Sequence, residues 1–97
     1  MRVEFSRRAT RDLSALADYI RPRNASAALK VRTAILASIH SLAVFPYAGR
    51  AQSTEGVRKL VVRSYPYLVY FVVDAEADVV RIVTIRHAAR RRAHRDR

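Results

Sequence analysis

Three observations predict an α+β domain of order β-α-α-β-β-β, with an N-terminal helix hairpin packed on one face of an antiparallel sheet. Residues 10–44 carry helical spacing interrupted once, at Pro22. Residues 57–87 carry three strand-like runs separated by two turns, and a short alternating segment precedes everything. Helices gathered in one block and strands in another favour segregated layers over alternating β-α units.

Val3 and Phe5 alternate with Arg2 and Glu4, the period of a short strand. Ser6 or Thr10 caps the helix that follows. In it Leu13, Leu16, Ala17 and Ile20 fall at i, i+3, i+4 and i+7, an amphipathic stripe. Pro22 ends that helix and Arg23-Asn24 makes a tight connection, so the next helix returns antiparallel. Asn24 or Ser26 caps this second helix, which runs to about Val44. Leu29, Ile35, Leu36, Ile39, Leu42 and Ala43 form its broad buried face. Pro46-Tyr47-Ala48-Gly49-Arg50 stops it, and a polar loop, Ala51 to Glu55, leads to the strands. The first of these holds Val57 to Arg63, and Ser64-Tyr65-Pro66 turns the chain. The run Tyr67 to Val73 has almost no polar residues, which suits a central strand covered by the helices. Asp74 to Asp78 is the second turn, and its three acids read as solubilising. Val80, Ile82 and Thr84 alternate with Val79, Arg81, Val83 and Ile85 in the last strand, which ends in His87.

Ninety-seven residues make a single domain, 1–97, with a basic tail from about residue 90 that holds five arginines and one aspartate. Arginine and lysine total 19 against eight acids, a net charge of +11. Self-repulsion of that size opposes a compact fold, so a polyanionic partner explains it better than a solvated surface does. The candidates are a nucleic acid, a nucleoprotein enzyme or an acidic protein. Guanidinium groups suit phosphates and carboxylates through paired hydrogen bonds. There is no cysteine, which excludes disulfides and thiolate chemistry and fits a reducing compartment. The N-terminus lacks a secretory apolar region, and no apolar run is long enough to span a membrane, so a cytoplasmic location is expected. The three histidines are far apart with no metal-ligand spacing, and glycines only at 49 and 56 leave no phosphate-cradling loop. No metal and no cofactor is expected.

The chain resembles the ParE/RelE superfamily of toxins from type II toxin-antitoxin systems. Phe5-Ser6 opens the first helix, Pro46…Gly49-Arg50 closes the second, and Val57-Arg58 begins the strands. Pro66-Tyr67-Leu68-Val69-Tyr70 opens the middle strand, and Ile85-Arg86-His87 followed by Arg90 ends the last. The likeness spans residues 2 to 92. The RelE-like branch cuts mRNA in the ribosome with Arg and Lys side chains and a late Tyr or His, and usually carries an arginine where Leu68 stands here. The aliphatic Pro-Tyr-Leu-Val-Tyr version looks more like the ParE branch, whose studied members poison DNA gyrase and are silenced by an acidic antitoxin. The resemblance therefore implies a gyrase-inhibiting toxin that binds rather than catalyses, in a hetero-oligomer with a ParD-like acidic antitoxin. That antitoxin would enter an apolar and basic groove between helices and sheet. One alternative is a metal-independent, ribosome-dependent mRNA endonuclease with Arg58, Arg86, His87 and Arg90 at the phosphate. Another is a non-toxic basic module that binds RNA or other nucleic acid.

The residues singled out for target or antitoxin binding are Arg50, Arg58, Arg63, Arg86, His87 and Arg90. His87 has a side chain suited to general acid-base chemistry, or to a plain hydrogen bond at a strand end. Arg58 and Arg63, five apart on one strand, are expected on opposite faces, with Arg58 the stronger functional candidate. Arg50 either pins its loop through a carboxylate such as Glu55 or contacts ligand. Tyr65, Tyr67 and Tyr70 read as core before they read as stacking platforms, and His40 lies on the polar side of the second helix. The tail reads equally as a phosphate grip and as a solvated terminus.

Overall fold

The computed structural model of the protein describes residues 1–89. The tail from Arg90 onward lies outside the described residues. In chain order the elements are β1 (Arg2–Phe5), α1 (Arg7–Ile20), α2 (Ala25–Ser41), β2 (Arg50–Ala51), β3 (Val57–Val61), β4 (Tyr67–Asp74) and β5 (Val79–His87). The strands form one sheet in the order β1-β5-β4-β3-β2.

Of the two caps offered for each helix, the first is the one used. Ser6 Oγ accepts from Ala9 N at 2.9 Å and donates to Val83 O at 2.7 Å, so one hydroxyl both caps α1 and ties it to β5. Asn24 Oδ1 accepts from Ala27 N at 3.0 Å and starts α2. The α1 stripe is confirmed: Leu13, Leu16 and Ile20 pack on the core, and Ala9 and Ala17 are buried. The buried stripe of α2 is Ala28, Val31, Ile35, Ile39 and Leu42. Leu29 is therefore a correction. It lies one residue, about 100° around the helix, off that stripe and is 68% exposed.

β4 is the central strand as expected. It pairs antiparallel with β3 and β5, and Val69 and Phe71 beneath the helices are fully buried. Three features go beyond the sequence reading. The short β2 pairs with β3, Arg50 against Lys59 and Ala51 against Arg58. β1 joins β5 in parallel, Arg2 against Val79 through Phe5 against Ile82, so the sheet is mixed rather than wholly antiparallel. The long crossover from β1 through both helices makes that direction possible. In β5 the pairing shifts by one residue between Tyr70 and Phe71, skipping Val83, and Ile82 and Ile85 consequently lie on the same buried face although they are three residues apart. Arg63 falls beyond β3, in the turn that places Ser64 at φ 73°, so the expected face relation between Arg58 and Arg63 does not arise.

Candidate functional site

Alternation along the strands sorts the singled-out residues between two surfaces. Tyr67, Val69 and Phe71 face the helices, and their cross-strand partners His87, Ile85 and Ile82 lie on that side too. Leu68, Tyr70 and Val72 face away. Arg86 pairs with Leu68, and Lys59 pairs with both Tyr70 and Arg50. The outer face therefore carries Arg50, Lys59 and Arg86 around Val61, Leu68 and Tyr70. With strands about 4.8 Å apart, Arg50 and Arg86 stand roughly 15 Å from each other. That is the spacing of a binding surface rather than of a catalytic pocket. Lys59 belongs in this group and was not singled out from the sequence. Its signal was register: it is the residue that β3 places beside Tyr70.

Arg58 is on the helix side, paired with Phe71, and its guanidinium turns to the loop after α2. Nη2 donates to Gly49 O at 2.6 Å and to Tyr47 O at 3.1 Å, and Cζ lies 5.4 Å from the centre of the Tyr47 ring. Nε is buried with no partner among the described residues. Arg58 thus performs the loop-pinning role considered for Arg50. Arg50 itself is exposed, and no ion pair joins it to Glu55 among the described residues.

His87 ends β5 above a cleft of about 240 Å³ between α1 and the strand ends, walled by Asp12, Leu16, Tyr19, Tyr67, Ile85 and His87 itself. Its ring meets Tyr67 edge-on at 5.2 Å and 83°, and its Nδ1 accepts from Ala89 N at 3.1 Å. Asp12 anchors α1 along the edge of β5 that β1 leaves uncovered. Its Oδ2 accepts from Thr84 Oγ1 at 2.5 Å and from Ile85 N at 3.0 Å. Tyr65 and Tyr67 pack on the core, whereas Tyr70 lies on the outer face. Arg58, Arg86 and His87 do not converge. Arg86 and His87 are neighbours on one strand and so point to opposite sides of the sheet. Along β4 the partners of Arg58 and His87, Phe71 and Tyr67, are four residues or about 13 Å apart.

At the far end of the outer face Arg81 bridges two acids. It reaches Asp74 at 2.6 Å and Glu4 at 3.5 Å, and Arg2 meets Glu4 at 2.8 Å. Asp74, read from sequence as solubilising, instead clamps its hairpin. The hydrogen bond from Arg81 holds Asp74 below its ordinary pKa, and Glu4 is lowered chiefly by the hydrogen bond from Arg2, with Arg81 adding to it. Carboxyls lowered in the folded state contribute stability above their unfolded pKa and lose it as pH falls through the folded one. Unfolding free energy should therefore decline as pH drops below the ordinary carboxylate range. Arg81→Ala should flatten that decline, only partly at Glu4, because Arg2 remains. Urea titrations at a series of acidic pH values test this, and an unchanged pH slope in Arg81→Ala would remove the clamp from the account.

With this geometry in place, comparison with known proteins is direct. Residues 3–92 match the sequence profile described as the ParE toxin of the type II toxin-antitoxin system parDE, and the chain belongs to that family. Among curated relatives, a protein of Caulobacter vibrioides named Toxin RelE2 is 40% identical over 89 residues, covering 91% of this chain and 96% of its own. Among solved structures, a chain from the chromosomal ParDE system of P. aeruginosa superposes with a TM-score of 0.78 at 27% identity. That match covers 90% of this chain and 95% of the other. A chain of the RelBE2 toxin-antitoxin complex from Mycobacterium tuberculosis gives 0.65 at 24% identity, covering 89% and 95%, and supports the fold alone. The protein is a type II toxin of the ParE/RelE superfamily, with two helices packed on a five-stranded mixed sheet.

Proposed function

We propose that the chain acts in the cytoplasm by binding and inhibiting DNA gyrase, and that a cognate acidic antitoxin silences it in a hetero-oligomer. The observation that carries this reading is the divergence of Arg86 and His87. A phosphate gripped by Arg86 on the outer face lies across the sheet from the imidazole that would have to move its proton. Arg58, a further cation of a cleavage mechanism, is engaged by the carbonyls of Tyr47 and Gly49. General acid-base catalysis needs both groups within hydrogen-bond reach of one substrate. What remains is a rigid basic surface formed by Arg50, Lys59 and Arg86, suited to contact with a negatively charged macromolecule. The match to the ParE profile and the ParDE neighbour at 27% identity support the ParE branch, and it is the resemblance to that branch that suggests gyrase as the target.

For the antitoxin, the groove between α2 and β3 has the chemistry expected. Its volume is about 620 Å³; Ala37, Ser38 and Ser41 line one side, Leu60 and Val61 the other, and Arg63 is the charged residue on its wall. Small residues let an extended or helical segment approach closely, and Arg63 meets a carboxylate at the rim.

The experiment is incubation of the purified chain with gyrase, ATP and negatively supercoiled plasmid. Linear DNA should accumulate and disappear when the antitoxin is added. Intact plasmid with a folded protein overturns the gyrase reading. Cleavage of mRNA on translating ribosomes, lost in His87→Ala, would replace it with the endonuclease, in keeping with the name of the Caulobacter relative. Salt-sensitive binding to any polyanion with no growth phenotype would leave only a basic nucleic-acid module.

A further inference from the structure

The cleft beside His87 differs in chemistry from the rest of this arginine-rich surface. Three other surface cavities each have at least one arginine in their walls: Arg58, Arg63, or Arg21 with Arg32. Among the described residues the cleft between α1 and the ends of β4 and β5 has none, and the one charged wall residue among them is Asp12, with its carboxylate. Asp12 is half-buried, and both hydrogen bonds to its Oδ2 come from neutral donors, Thr84 Oγ1 and Ile85 N. None of the ion pairs among the described residues includes it, although those residues hold 14 of the chain's 19 cationic side chains. Around it stand three aromatic rings. Tyr67 and His87 form a right-angled corner, their centres 5.2 Å apart, and Tyr19 forms the helix-side wall. Tyr19 already holds one guanidinium: Arg23 Cζ lies 4.1 Å from its ring centre.

A carboxylate framed by aromatic faces is the chemistry that selects cations. A planar guanidinium suits it better than an ammonium, because it is weakly hydrated and stacks on rings while donating in its own plane. We propose that this cleft binds a guanidinium group, the side chain of an arginine presented by a protein partner. In this arrangement the Asp12 carboxylate accepts its hydrogen bonds and Tyr19, Tyr67 and His87 wall it. About 240 Å³ accommodates one side-chain head and excludes a helix. The +11 charge opposes an isolated cation at long range, but that repulsion is screened over about 8 Å at physiological ionic strength, and the Asp12 contact is at hydrogen-bond distance. An otherwise acidic partner carrying one well-placed arginine is attracted by the surface and identified by the cleft. A partner lacking it leaves Asp12 covered and unpaired, which penalises the wrong complex. The inference does not depend on whether gyrase is the target.

The test is an NMR titration of the full chain with N-acetylarginine amide and, in parallel, with its neutral isostere N-acetylcitrulline amide. The arginine probe should shift the resonances of His87, Tyr67 and Ile85, and the citrulline probe should leave them in place. Asp12→Asn keeps an oxygen for the Thr84 and Ile85 donors and removes the charge, so it should weaken the arginine probe by about 10–100-fold, the range of a charge-assisted hydrogen bond. Tyr19→Ala alters a side chain that is 62% exposed, so the fold should survive, and binding should fall roughly two- to fivefold. Equal binding of both probes, no shift at these residues, or unchanged affinity in folded Asp12→Asn overturns the proposal. If Asp12→Asn does not fold, the citrulline comparison and Tyr19→Ala decide it.

Discussion

Replacing Phe71 by alanine is expected to lower stability by about 3–5 kcal/mol, the range for removing a large buried side chain that its neighbours cannot replace. Phe71 is fully buried in mid-β4, paired with Arg58 on one side and Ile82 on the other, and the edge of its ring lies directly beneath Gly49. Inward collapse is opposed by two hydrogen-bonded strands, so most of the lost volume stays as a cavity. A domain of this size has about 5–15 kcal/mol in total, so the variant sits near the edge of folding, with a melting temperature lower by roughly 15–30 °C. Val72, the next residue, points to the outer face and is only half-buried, and Val72→Ala should cost under about 1.5 kcal/mol. Urea denaturation of both variants separates the cases: equal midpoints would show that the ring is not a central element of the core. Lost toxicity in Phe71→Ala then reports unfolding, whereas lost toxicity in an outer-face variant with normal stability reports the target surface.

The parts of this fold that were legible in sequence are those in which local period and burial coincide. Tyr67, Val69, Phe71 and Val73 are apolar because β4 is flanked by strands and its inner face is covered by helices. Leu13, Leu16 and Ile20 repeat at helical spacing because α1 lies flat on the sheet. The parts that were not legible depend on distant partners. Nothing local to Arg2–Phe5 announces a parallel pairing with Val79–Ile82, and β2 is only two residues long. Asp12 passed unnoticed because its donors are 72 and 73 residues away. Leu29 was misplaced because two apolar stripes of α2 lie one residue apart and only packing against α1 selects between them. In the candidate site, the opposite faces of Arg86 and His87 follow from adjacency on a strand and were available from sequence. The loop-pinning role of Arg58 was not, because its acceptors are main-chain carbonyls that any residue supplies.

Gly49→Ala is the second substitution with a large expected effect, about 3 kcal/mol. The reason is space rather than backbone conformation, since among the described residues the one glycine with positive φ is Gly56. A Cβ at position 49 would lie 2.7 Å from Lys59 O and 2.8 and 2.9 Å from two ring carbons of Phe71. The carbonyl belongs to β3 and the ring is locked in the core, so neither yields cheaply. The loop must move instead, and that strains the two hydrogen bonds from Arg58 Nη2 to Tyr47 O and Gly49 O. Gly49→Ala should therefore behave partly as a loss of Arg58. Limited proteolysis should cut the segment 46–56 faster in Gly49→Ala and in Arg58→Ala, while sites in β4 stay protected. A double-mutant cycle apportions the clash. In a Phe71→Leu background the cost of Gly49→Ala should fall by about 1 kcal/mol, and the remainder belongs to the Lys59 carbonyl. A cost unchanged by Phe71→Leu assigns the whole clash to β3. A cost near zero in the wild-type background would mean that the loop does not sit against the sheet and that Arg58 is not its anchor. The arginine would then be available for the phosphate contact that its sequence position suggested.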